Sequence, residues 1–69
     1  MVKIEKITRE LAAEIVDMHS KDFAFSAIAQ NFAEPLEIKE KEIGYGTGYR
    51  IVREAYIVLS YSNPPHNFD

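Results

Sequence analysis

Apolar positions recur at helical spacing over the first half of the chain. Leu11, Ala12, Ile15, Val16 and His19 share one face, with Met18 at its border and Glu10, Glu14, Asp17 and Lys21 mostly opposite. Thr8 supplies an N-cap and Glu10 complements the helix dipole, which predicts a helix from Thr8 to about Ser20. After a break at Ser20-Lys21-Asp22, Phe25, Ile28, Ala29 and Phe32 repeat the pattern and predict a second helix from about Phe23 to Ala33. Pro35 closes it, and Glu34 before the proline is expected to be extended. Two amphipathic helices joined by so short a break must cross and share an apolar interface. Ahead of them, VKIEKI alternates imperfectly and predicts a short edge strand.

The stretch Leu36 to Tyr61, LEIKEKEIGYGTGYRIVREAYIVLSY, holds all three glycines and admits two readings. In the first, Tyr45-Gly46-Thr47-Gly48 is the tip of a β-hairpin, the glycines supplying the positive φ angles that such turns need. That register sets Leu36 opposite Ile57, Ile38 opposite Ala55, Glu40 opposite Arg53 and Lys39 opposite Glu54. One face then collects Leu36, Ile38, Ile51, Ala55, Ile57 and Leu59, and Tyr, Ile and Val enrichment agrees with strand. In the second reading Thr47 caps a third helix with Ile51, Val52, Ala55, Tyr56 and Leu59 on one face. The hairpin is preferred, giving an α+β domain over residues 1–61: an N-terminal strand, two crossed helices and a C-terminal hairpin. The alternative is an all-α three-helix domain. SNPPHNFD, with two prolines, is expected to be a flexible tail over residues 62–69.

Charge and composition narrow the function. At 69 residues the chain buries only about 60% of its unfolded surface, and with no Cys neither disulfides nor thiolate metal sites can reinforce it. Homo-oligomerisation is the common remaining route. Eight Lys and Arg against eleven Asp and Glu give a net charge of −3, with no compact basic stretch of the kind that marks nucleic-acid binding. An acidic chain of this kind points to a protein partner with a basic surface. No apolar run is long enough to span a bilayer, and MVKIEKITRE lacks the apolar centre of a signal peptide. A cytoplasmic protein is the expectation.

Catalytic patterns are not found. Gly44, Gly46 and Gly48 before Arg50 could cradle an anion, but the spacing is neither that of the phosphate-binding loop nor that of the dinucleotide fingerprint. His19 and His66 are far apart, with no spacing that gathers metal ligands; His19 reads as a partly buried helix residue. Neither a GxSxG elbow nor a Cys nucleophile is present. Glu34, Glu37, Glu40 and Glu42 read as a solvated edge guarded by Lys39 and Lys41. No enzyme, metal or cofactor is expected.

The run EIVDMHSKDFAFSAIAQNF resembles the first two helices of helix-turn-helix DNA-binding domains, with Ile28-Ala29 and Phe32 matching the second. The resemblance implies a DNA-binding regulator whose recognition helix would be GTGYRIVREAY, reading DNA through Tyr49, Arg50 and Arg53. Here Pro35 and four glutamates occupy the segment after the second helix, where that family has a short turn. The preferred expectation is a small regulatory or inhibitory protein acting by protein–protein interaction as a homodimer. Its surface would be the outer hairpin face and tip, Ile43, Tyr45, Tyr49, Arg50, Val52, Tyr56 and Tyr61.

Overall fold

The computed structural model describes residues 6–62, with backbone alone for residues 61 and 62. Three helices make up the fold: α1 (Arg9–Ser20), α2 (Phe25–Asn31) and α3 (Tyr45–Ser62), with a 3₁₀ turn over Glu40–Glu42 between the last two. No described residue is in a strand, so the α+β architecture gives way to the all-α alternative. The strand expected over VKIEKI falls outside the described residues except for Lys6 and Ile7, and neither of those is strand. The expected tail likewise lies outside them from residue 63 onward, and Ser62 still belongs to α3.

Local chemistry sets the boundaries of α1. Thr8 is extended (φ −82°, ψ 173°) and its hydroxyl oxygen accepts the Leu11 N–H at 3.2 Å. At the other end Phe23 N–H donates to the Met18 carbonyl at 3.3 Å and Asp22 N–H to that of His19 at 3.0 Å. Asp22 takes φ 68°, so this is a Schellman closure with aspartate where glycine is usual. The same device recurs after α2. Ile38 N–H donates to Ala33 at 2.8 Å and Glu37 N–H to Glu34 at 3.1 Å, with Glu37 at φ 56°. Pro35 has no N–H to offer the Asn31 carbonyl, and regular helix stops at Asn31. Residues 32–37 therefore form a run of turns, and Glu34, expected to be extended, lies inside it.

Helix α3 replaces the hairpin. Ile51, Val52 and Ala55 are buried and Val58 and Leu59 half-buried, a helical periodicity that places one face in the core. The β-branched and aromatic content that argued for strand reflects residues that pack well on any half-buried surface, and here the packing is on helices. No glycine has a positive φ, which removes the physical basis of the tip. The helix starts earlier than Thr47: Gly48 N–H donates to the Gly44 carbonyl at 3.0 Å. Thr47 instead reaches back, its hydroxyl donating to the Glu42 carbonyl at 2.6 Å and tying α3 to the 3₁₀ turn.

The core joins Ile7, Ala12 and Ile15 to Ile28, Ala29 and Phe32, then Leu36 and Ile38, then Ile51, Val52 and Ala55. Leu36 and Ile38, the supposed strand alternation, are both buried because the turns after α2 lead the chain across the interior. Helices α1 and α2 each pack chiefly on α3 and touch one another little. That leaves an open groove of about 400 Å³ between them, lined by Ala13, Glu14, Asp17, Met18, Asn31 and Phe32. No helix among the described residues is long and apolar enough to cross a membrane.

Candidate interaction surface

Gly48 fixes the geometry of the most distinctive surface. A Cβ at this position would lie 1.8 Å from the Phe25 carbonyl oxygen and 2.4 Å from its carbonyl carbon. Only glycine lets the first turns of α3 come this close to the start of α2. The close approach seats the Phe25 ring against residues on either side of Gly48. Its centroid is 5.0 Å from that of Tyr45 and 5.7 Å from that of Tyr49, at interplanar angles of 90° and 86°. Both are edge-to-face arrangements, which set positive ring edges against negative ring faces.

Helix α1 contributes His19. Its ring stacks on Phe25 at 5.6 Å and 15°, and meets Tyr56 edge-on at 5.9 Å and 88°. Its Nδ1 lies 3.2 Å from the Tyr56 hydroxyl. His19 and Phe25 are half-buried, while Tyr45, Tyr49 and Tyr56 remain 68%, 52% and 47% exposed. Five rings from three helices are thus joined into one cluster whose tyrosines stay open to water. Phe23, 48% exposed, adds a large apolar side chain in the α1–α2 turn.

Charged side chains border the cluster on α3, where Arg50, Arg53 and Glu54 follow Tyr49. Arg50 and Arg53 are exposed on α3 and, among the described residues, make no ion pair; Arg53 lies one turn beyond Tyr49. On α1 the carboxylates of Glu10, Glu14 and Asp17 lie roughly 140–180° around the helix from His19, at about 100° per residue. Asp17 is held by Lys21 at 3.0 Å across one turn. Glu14 and Asp17 therefore line the groove, and His19 lies on the side of α1 away from it.

The residues expected to form the interaction surface separate into two sets. Tyr45, Tyr49, Arg50 and Tyr56 are exposed on α3. Val52 is turned into the core at 4% exposure, and Ile43 is half-buried against it. Tyr61 lies in α3, but its side chain is outside the described residues. Tyr49, Arg50 and Arg53, the set proposed for reading DNA, all lie exposed on one helix. His19, Phe25 and Phe23 were not foreseen, because the periodicity of one helix carries no information about ring contacts between helices. The glycines open a helix instead of forming a loop around an anion. Among the described residues no three His, Asp or Glu side chains converge as metal ligands.

No protein-family model, curated protein or solved structure matches this chain.

Proposed function

We propose that the chain is a small non-enzymatic regulatory or inhibitory protein that acts by binding another protein, through the face built from His19, Phe25, Tyr45, Tyr49 and Tyr56. The observation that carries this reading is the joined ring cluster with its three exposed tyrosines. Tyr, Phe and Arg are the residues enriched at the centres of protein interfaces, where each buries much area at little cost in rotamer freedom. Rings held edge-to-face by one another are partly ordered before a partner arrives, which lowers the entropic cost of association. A homodimer belongs to the same proposal. Among the described residues the large, fully enclosed side chains are Ile15, Ile28, Leu36 and Ile51, a small core for an independent monomer. Light scattering is expected to give twice the 7.9 kDa chain mass.

A helix-turn-helix regulator is the second reading, favoured by the helical state of residues 47–60 and the exposure of Tyr49, Arg50 and Arg53. Against it stand residues 32–44 between α2 and α3, where that motif has a turn of about three or four residues. Two arginines also fall short of the roughly six to ten phosphate contacts of a strong DNA binder. The two readings separate in a pull-down from host lysate with wild type and Tyr49→Ser/Tyr56→Ser at low salt. Protein binding predicts a partner retained by wild type and lost with the variant. Equal retention by both, or retardation of mixed-sequence DNA at micromolar protein, would reject it.

A further inference from the structure

The open groove between α1 and α2 has no buried polar side chain among the described residues, and Gly46 and Gly48 belong to α3. The aromatic face carries more, because its charge and its shape point the same way. Three partly exposed tyrosines along α3 offer apolar ring surface; Arg53 flanks Tyr49 and Tyr56 at about 40–60° around the helix and Arg50 lies further round, ahead of Glu54, at about 100° per residue, and neither arginine makes an ion pair among the described residues. A guanidinium fork pairs with carboxylates in bidentate fashion, and tyrosine hydroxyls can donate to the same groups. A partner with basic charge would meet these arginines with repulsion, although the chain as a whole is acidic.

We propose that the aromatic face of α3 binds a protein segment that presents apolar side chains flanked by Asp or Glu. This rests on the interaction reading above and names the chemistry of its partner. The apolar side chains would cover the Tyr45, Phe25 and Tyr49 rings, and the carboxylates would reach Arg53 and Arg50.

The test uses two amphipathic helical peptides with one leucine pattern, one carrying Glu and the other Lys at its polar positions, together with a short oligo-dT. Each is titrated into the full chain and followed by backbone amide shifts. The Glu peptide is expected to move Tyr45, Tyr49, Arg53 and Tyr56 saturably and to bind at least tenfold tighter than the Lys peptide. Arg50→Glu/Arg53→Glu, both at exposed positions, should reverse that preference and leave the melting temperature in place. Tighter binding of the Lys peptide or of oligo-dT at the same residues would overturn the acidic partner and leave the face as an interaction surface. So would concentration-dependent shifts confined to these residues without any peptide, which would make a second copy the occupant. If no probe moves them and the Tyr49→Ser/Tyr56→Ser pull-down matches wild type, the interaction reading itself fails along with the proposal.

Discussion

Gly46 and Gly48 lie two residues apart in α3 and meet opposite surroundings. A Cβ at Gly46 would have nothing within 4 Å, whereas one at Gly48 would overlap the Phe25 backbone. Gly46→Ala should therefore stabilise by about 0.5 kcal/mol, through helix propensity and a less flexible unfolded chain. Gly48→Ala should destabilise by about 1–3 kcal/mol, because backbone cannot yield as a side-chain end can. Urea midpoints read both, with the slope unchanged. The second variant should also disperse the ring contacts of Phe25 with Tyr45 and Tyr49, visible as changed aromatic shifts. Asp22 offers a converse case. It holds φ 68° at the end of α1, so Asp22→Gly should raise stability by about 0.5–1 kcal/mol, the relief of left-handed strain exceeding the entropy that glycine adds to the unfolded chain. A thermal melt with a lower midpoint than wild type would contradict this.

At the scale of elements, α1 was legible almost residue for residue, since Thr8 caps it and its apolar stripe is regular. Removing that cap by Thr8→Ala should cost about 1 kcal/mol, measured as a lower urea midpoint. Helix α2 was legible in position and shorter than expected, beginning at Phe25 and ending at Asn31. Helix α3 was misread. Its apolar positions fit alternation and helical spacing equally over a short window, and glycines clustered at a centre of pseudo-symmetry look like a turn. What decides between them is the packing of Ile51, Val52 and Ala55 against two earlier helices, and that contact is not written in the local pattern. Glycines at the start of a helix also have more than one physical use. At Gly48 the use is close approach between backbones, which no spacing rule discloses. Of the interaction surface, the exposed tyrosines and arginines were legible as residue types. Their assembly around Phe25 and His19 was not, because it requires three helices at once.

For the whole molecule, the arrangement separates two chemistries. The carboxylates of α1 look out on one side and the joined rings on another, with Arg53 one turn beyond Tyr49 and, like Arg50, in no ion pair among the described residues. The tyrosines of the face lie outside the core: Ile51→Ala should destabilise by about 2–5 kcal/mol, while Tyr49→Ser should change the urea midpoint only slightly. A face of three exposed tyrosines joined to His19 and Phe25 is the central feature of the molecule. Its most direct test is photocrosslinking in the host from a benzoylphenylalanine placed at Tyr49, with the same probe at exposed Glu14 as the comparison. The account predicts a discrete protein adduct from position 49, absent from position 14 and lost when Arg50→Glu/Arg53→Glu is added. A nuclease-sensitive adduct from position 49, or the same adducts from both positions, would contradict it.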